Sequence, residues 1–489
     1  MKAHRLKNLA YMALTIACLC PGGASGSVPE LIGHAYGFID RTGQVIVPPA
    51  CNRAFSGYRG DWASVERDGK QGFVNLRTRQ FTGLIFQRGD VYFFREPLFS
   101  LGPEPVMQDG KYGYVDQAGR TIIPFRYELA RQFDDHGLAV VKIDGRFGFI
   151  DRRGEFAIPP QFEHEPEFNS GGLASVSLGG LWGVIDRRGR LVVPAKFNLI
   201  DLRVRSDLII VGADGRRGAV DAQGRIVVPM KFSGLRSFGQ NGLAAASLDA
   251  DPSRLSSPGG HWGFIDRHGE FVIPPVYNRV SDFEDEQHRK DLAFFSFRAP
   301  VGLAEATSID ASGIESTTYI DARGKAVISL PAGISGIHTF RNGVIEVFDQ
   351  RKHEGVALSA TSGIFDPAKP ASPTIWFKLV GDFGDSDLAP VWLNSGWGYA
   401  DRTGSLVIEP QFASASAFTA DGLASVLAKD PATGRYTAAF IDRTGKVKLQ
   451  TPFNEVSSFG PSGFAQVIVN RKPLDPIELD ASQCAPRSP

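Results

Sequence analysis

Charge of one sign is what this chain lacks: 53 Lys and Arg stand against 53 Asp and Glu, so the formal net charge is zero. A nucleic-acid binder is expected to carry a basic excess, so nucleic acid is not an expected partner. Long apolar runs are missing too. Beyond the amino-terminal stretch nothing approaches the roughly 20 apolar residues that a membrane-crossing helix needs. Cysteine is scarce, with four residues in 489. Catalytic signatures are absent: there is no His-Glu-x-x-His, no Gly-x-Ser-x-Gly, no phosphate loop and no matched pair of Cys-x-x-Cys motifs. The nine His residues show no metal-ligand spacing. No cofactor is expected, and the chain reads as a non-enzyme.

The first residues form a unit of their own. Lys2, Arg5 and Lys7 precede an apolar run over residues 9–20, and small residues follow it. That is the pattern of an export signal, expected over residues 1–26 with cleavage after Ala24 or Gly26. The mature protein is then periplasmic or secreted. The alternative is a lipoprotein anchored through Cys18 or Cys20, the one route to a membrane. With the signal removed, Cys51 and Cys484 remain. The favoured expectation is a buried Cys51 and a free thiol in the tail. A Cys51–Cys484 disulfide is the alternative, and it requires the two ends of the chain to meet.

What dominates is a repeat. An aromatic-Gly-x-x-Asp phrase recurs as Tyr36-Gly37-Phe38-Ile39-Asp40, Tyr112-Gly113-Tyr114-Val115-Asp116 and Phe147-Gly148-Phe149-Ile150-Asp151. It returns as Trp182-Gly183-Val184-Ile185-Asp186, Trp262-Gly263-Phe264-Ile265-Asp266 and Trp397-Gly398-Tyr399-Ala400-Asp401. Three residues after these Asp come Gly189, Gly269 and Gly404, among others, then a β-branched run and often Pro, as in Val192-Val193-Pro194. A later Phe, such as Phe133, Phe168, Phe283 or Phe418, precedes a Gly-Leu-Ala phrase in several copies. The spacing is 35 residues from Gly113 to Gly148, from Gly148 to Gly183 and from Gly183 to Gly218. About eleven copies fit this pattern, some badly eroded.

Residues 173–194 show what one copy does. Leu173-Ala174-Ser175-Val176-Ser177-Leu178 alternates in character and predicts a strand. Gly179-Gly180 is a two-residue hairpin signal. Trp182-Gly183-Val184-Ile185 returns, Asp186 caps a tight turn whose Gly189 has positive φ, and Leu191-Val192-Val193 is a third strand that Pro194 ends. The motif Gly marks close backbone approach, and an aromatic ring of a neighbouring strand or unit is expected across it. The later Phe is expected to plug the space between sheets.

These phrases resemble the WG, or KWG, repeat family, on the strength of Trp182-Gly183, Trp262-Gly263 and Trp397-Gly398, over nearly all of the mature chain. Tyr or Phe replaces Trp elsewhere, and Arg217-Gly218 has no aromatic. The resemblance implies bacterial-type β repeats and little about function. The expected fold is all-β, with tandem three-stranded antiparallel meanders stacked as an open superhelical array. A β-propeller-like closed ring is the alternative. The expected blocks are a regular one over 27–290, degenerate repeats with insertions over 291–380, further repeats over 381–470 and a tail over 471–489.

Several features invite a chemical reading. The repeated Asp40, Asp116, Asp151, Asp186, Asp266, Asp401 and Asp442 suggest metal ligation, but each turn offers one acid where calcium needs several oxygens, so a capping role is expected. Arg41, Arg152, Arg187, Arg267, Arg402 and Arg443 follow those Asp and would form a ladder for an anionic polymer if they stacked, but solvated side chains are the plainer expectation. His261 and His268 flank one turn and are expected to be exposed. Glu284-Asp285-Glu286 reads as a solvated loop. The period breaks over residues 245–260, 293–318 and 355–379, where insertions would map to a binding face. Trp376, Phe377 and Trp392 nearby read as core. The expected role is a non-catalytic scaffold of the cell envelope or exterior that binds protein. Binding of cell-wall glycan is the alternative, and a propeller-type hydrolase ranks third.

Overall fold

Alternating side chains and a two-residue turn make each repeat a hairpin with a third strand beside it. In the copy around Trp182 the up strand Leu173–Leu178 pairs with the motif strand Leu181–Asp186, which pairs with the edge strand Leu191–Phe197. Gly179 and Gly180 both have positive φ, 62° and 77°, as a mirror-image hairpin turn requires. Asp144-Gly145 and Asp214-Gly215 do the same work in other copies.

The structure is a computed structural model and describes residues 33–56, 60–87, 98–202, 207–250, 260–284, 299–339, 343–349, 362–367, 376–430 and 433–471. Every regular element among them is a β-strand, and the strands form ten antiparallel sheets of three to seven strands. The seven-stranded sheet holds two units, joined through the short strand Phe86–Gln87. Eleven units result. They are numbered 1 to 11 by the residue at the motif Gly position: Gly37, Gly72, Gly113, Gly148, Gly183, Gly218, Gly263, Thr318, Gly363, Gly398 and Ala439.

Most units carry a short fourth strand in addition to the expected three. In unit 4 this lead strand is Leu129–Ala130, paired to Ala139–Ile143. Only Glu128 separates it from Thr121–Tyr127, the edge strand of unit 3. The chain therefore steps from sheet to sheet without a long connection, and each unit is pinned to the next.

The expected array of small meanders is present, and its ends meet. Strand Gly33–Asp40 of unit 1 pairs over its whole length with Phe464–Arg471 near the carboxyl end, and Glu455–Val456 completes that sheet. Unit 1 has no up strand of its own, so its motif strand would expose a row of unpaired backbone groups, which the carboxyl-terminal strand satisfies. An open superhelix and a closed ring are the two forms expected for the array, and the pairing of its two ends is the contact that closes a ring.

The core lies between successive sheets. The residue after the motif Gly is buried and meets the later Phe of the next unit. Ring centroids are 5.0 Å apart for Tyr114–Phe133, 4.7 Å for Phe149–Phe168, 4.7 Å for Phe264–Phe283 and 4.8 Å for Tyr399–Phe418. The Phe thus plugs the inter-sheet space as expected. Phe440–Phe459, at 4.2 Å, makes the same contact from unit 11 to unit 1. In units 3 and 10 the buried residue is Tyr and its hydroxyl donates onward, from Tyr114 to the Arg131 carbonyl at 2.8 Å and from Tyr399 to the Ser416 carbonyl at 2.9 Å.

The motif Gly has a different nearest neighbour from the one expected. In unit 5 Trp182 pairs with Phe197 but Val184 pairs with Val193, so the edge strand carries two extra residues opposite Gly183. That bulge folds over the glycine. A Cβ on Gly183 would lie 2.8 Å from the Val193 carbonyl oxygen, and on Gly37, Gly263 and Gly398 only 2.3–2.4 Å from the equivalent oxygen. Backbone is the nearest neighbour of these motif glycines, and an aromatic ring of a neighbouring strand comes close at two others, Phe125 at Gly113 and Phe81 at Gly72, at 3.0 and 3.3 Å. Pro124, Pro159, Pro194, Pro229 and Pro274 sit in these bulges, where a missing N–H costs no ladder bond.

Cys51 ends the edge strand of unit 1, is fully buried and is disulfide-bonded. The expectation of a buried free thiol is therefore corrected. Its partner lies outside the described residues, as do Cys18, Cys20 and Cys484. The physical setting is the ring seam: Tyr36 pairs with Cys51 on one side and with Ile468 on the other. Residues 1–26 and the tail from 472 also lie outside the described residues.

Candidate functional site

The repeated Asp residues are turn caps. Asp186 Oδ1 accepts the N–H of Arg188 at 2.9 Å and of Arg190 at 3.0 Å. The same pair of bonds recurs at Asp40, Asp116, Asp151, Asp266, Asp401 and Asp442. Gly189, Gly269 and Gly404 close these turns with φ of 76°, 85° and 83°. The Thr444 hydroxyl, with the amides of its turn, holds the Asp442 carboxyl down at about 2. For Asp221 the Arg225 amide, and for Asp321 the Lys325 amide, lowers the carboxyl in the same way. Carboxylates spent on amides in this fashion have no convergent geometry left for a cation.

Of the Arg residues that follow, Arg41, Arg187, Arg267 and Arg443 are neither a free ladder nor simply solvated. Arg187 lies over the Phe168 ring at 5.0 Å and reaches back to Asp134 of the preceding unit at 2.6 Å. Arg267 likewise reaches Asp207 of unit 6, and Arg443 reaches the Asp385 carbonyl of unit 10. Arg41 of unit 1 stacks over Phe459 and pairs with Asp421 of unit 11. These side chains are struts between neighbouring units, and the seam uses the same strut as the interior.

Among the described residues one trio brings three possible metal ligands together, Asp134, Asp135 and His136. Its atoms are already engaged: Asp134 caps its own turn and holds Arg187, while His136 Nδ1 contacts Asp135. A shallow depression of about 350 Å³ borders it, lined by His136, Gly172, Asp186 and Arg187 among others. His261 and His268 are exposed, and His261 is paired with Asp249. The backbone N–H of His261, followed by its ring, lowers the Asp249 carboxyl to about 2.

Glu284 is a correction: it is buried, because its backbone bridges to Val301 and accepts from Gly302. Asp285 and Glu286 lie outside the described residues.

The three Trp-Gly pairs do not converge. Trp262 is buried, its ring against Gly234 of its own lead strand and under Arg236 at 5.1 Å. Trp182 is half-buried beside His164, and Trp397 is half-buried and stacked on Trp392 at 6.2 Å. Phe377 is core and Trp376 packs on the same kind of cluster. The segments 293–318 and 355–379 are in part regular. They contribute Ala304–Ile309 and Glu315–Ile320 to unit 8, and Ser362–Phe365 with Trp376–Phe377 to unit 9. Residues 251–259, 285–298, 350–361 and 368–375 lie outside the described residues.

Several buried carboxyls escaped the sequence reading, among them Glu104, Glu305 and Glu346. Glu104 sits at the junction of units 3 and 4, where burial pushes it up to about 7 despite bonds from the Phe99 N–H and the Gln132 amide. Glu346 in unit 9 is raised to about 7, again by burial. Also missed were polar residues just after several edge strands, which cap the next hairpin. Glu163 accepts from Ser177, Gly179 and Gly180, Asn52 from Asp68, and Asn278 from Ile309. Their period was available in the sequence, but their chemical type varies too much to stand out.

The face left to solvent is made by the edge strands. Ile122, Val227, Val272, Val327 and Val407 are exposed at corresponding positions of units 3, 6, 7, 8 and 10, and Leu191 and Ile226 are exposed one residue earlier on the edge strands of units 5 and 6.

The family model described as the WG-containing repeat matches residues 36–70, 112–147, 147–182, 182–215, 218–250, 262–294 and 397–429. No curated protein matches the chain. Among solved structures, a eukaryotic initiation factor is 11% identical with a TM-score of 0.33, over 74% of this chain and 97% of that one. Hsv2 of Kluyveromyces lactis is 8% identical with a TM-score of 0.26, over 80% and 97%. The extracellular domain of a putative one-component system from B. thetaiotaomicron is 12% identical with a TM-score of 0.20, over 91% and 75%. Likeness at this level carries no argument about function.

Proposed function

We propose that this chain, which belongs to the family of WG-containing repeats, is a non-catalytic scaffold of the cell envelope or exterior whose partner is a protein. The observation that carries the reading is the row of exposed aliphatic side chains on successive edge strands. Repeated apolar exposure of this kind marks interaction surface, while the turn Asp residues cap their own turns and Arg41, Arg187, Arg267 and Arg443 brace neighbouring units. Export is supported by the amino-terminal pattern and by the disulfide at Cys51, since such bonds persist in oxidising compartments.

A second reading, binding of wall glycan, has the half-buried stack of Trp392 on Trp397 in its favour. The test is a pull-down from envelope extract with the mature protein, from about Ser27 onward, beside a purified-glycan retention assay. Stoichiometric capture of one protein supports the scaffold. Retention on glycan with no protein captured replaces it by the second reading.

A further inference from the structure

Sheet edges invite other strands, and folded proteins guard them with Pro, bulges, charge or short length. The edge strands of this ring are guarded almost throughout. Units 1, 3, 4, 5, 6, 7 and 10 carry the two-residue bulge, each with a Pro within the bulged segment. In unit 2 the strand Phe86–Gln87 is covered by pairing with unit 3, and unit 9 ends in the two-residue strand Trp376–Phe377. Unit 11 ends in Val447–Gln450, which holds Lys448.

Unit 8 is the exception among the described residues. Its edge strand, Ala326–Ser329, contains no Pro and no charge. With Thr318 in place of the motif Gly, it also lacks the two-residue bulge. It keeps only the one-residue irregularity at Val327 that the other units share, and the ladder then runs on regularly until Leu330 donates to the Thr317 carbonyl at 3.0 Å. The sheet ends there, with no strand on its far side among the described residues. Ala326, Val327 and Ser329 are exposed, and the exposed cations Arg323 and Lys325 stand at the start of the strand.

We infer that Ala326–Ser329 is a strand-addition site that takes an extended segment of a partner protein, with a β-branched side chain against Val327 and an acidic residue against Lys325. This rests on the protein-partner reading above and names where that partner docks. Main-chain hydrogen bonds along the free edge supply affinity, and alternate side chains supply choice. The basic end selects an acidic segment over a basic one.

The test uses the full mature protein and a labelled synthetic peptide of alternating Thr and Val with Glu at each end, followed by fluorescence polarisation. Saturable binding is expected. It should weaken by about tenfold or more when alternate peptide amides are N-methylated, since their main-chain hydrogen bonds to the edge are lost. The Val327→Lys variant should weaken it comparably, and Val407→Lys on a guarded strand should not. Absent saturation, equal binding of the N-methylated peptide, or equal loss in the two variants overturns the site. In the envelope pull-down, a partner captured equally by wild type and Val327→Lys leaves the scaffold reading standing and overturns this docking site. Capture of no protein by either sinks the scaffold reading itself.

Discussion

Units 5 and 8 are the same machine built with and without its glycine. In unit 5 Gly183 lets the edge strand bulge by two residues across the motif strand. In unit 8 Thr318 occupies that position and the two-residue bulge is gone, leaving only the one-residue irregularity at Val327. Unit 11 repeats the experiment with Ala439, and there too the large bulge is gone. The loss of the aromatic goes with it: Thr317 of unit 8 stands where unit 7 has Trp262, since Thr307 pairs with Thr317 as Ser247 pairs with Trp262. Thr307 Oγ1, Thr317 Oγ1 and the Tyr319 hydroxyl are then buried with no hydrogen-bond partner among the described residues, an arrangement that costs stability. The degenerate units have kept the hairpin and lost the device that bends and guards its edge.

The largest effect is expected from putting a side chain where the bulge sits. Gly183→Val places a branched Cβ within 2.8–3.0 Å of edge-strand backbone, and backbone cannot step aside cheaply. A loss of about 3 kcal/mol is expected, read as a fall in the urea midpoint. Ala439→Gly, where no bulge exists, should cost no more than about 1 kcal/mol from chain entropy. Equal tolerance of both changes would break the link between glycine and bulge.

The glycine was legible in the sequence as a position of close approach, but what approaches it was not. A bulge lies in register, and register is a relation between strands that a single phrase does not display. Spacing gave the eleven units, the hairpins, the Asp caps and the Phe plugs, because each is a local pattern repeated at a fixed interval. The Arg struts were hidden for the opposite reason: Arg187 and Asp134 are 53 residues apart, and each looks like an ordinary exposed charge in its own turn. The pairing of Gly33–Asp40 with Phe464–Arg471 was equally illegible, since both strands are plausible edges until the path of the whole array is known.

A second contrast lies at the position opposite the buried motif-strand residue. Regular units place Val140, Ser175 or Ala245 there, and units 8 and 9 place Glu305 and Glu346. Burial raises the Glu346 carboxyl from 4.5 to about 7 in the folded protein. An unfolded chain releases that proton first, so stability is lost as pH rises from about 4.5 through 7. The turn carboxylates run the other way. Asp442, held at about 2, withdraws its contribution as pH falls from about 4 toward 2. Glu346→Gln should therefore raise stability at pH 8 by up to about 2 kcal/mol and change little near pH 4. Urea midpoints across that range decide it, and a parallel offset at every pH would show that the carboxyl's charge is not the cause.

The smallest effect bears on the seam. Arg41–Asp421 joins units 1 and 11, and Arg187–Asp134 joins units 5 and 4, with the same ring beneath each guanidinium. Both pairs are partly exposed, so each is expected to couple by only about 0.5 kcal/mol. Double-mutant cycles with Arg41→Ala and Asp421→Ala, and with Arg187→Ala and Asp134→Ala, measure the two couplings separately. If the seam is one more unit junction, the couplings agree. A seam that opens before the rest unfolds would return no coupling for Arg41–Asp421 while Arg187–Asp134 keeps its own. The eight-residue ladder between Gly33–Asp40 and Phe464–Arg471 makes equality the expected result, because it holds the two ends as firmly as any hairpin holds its strands.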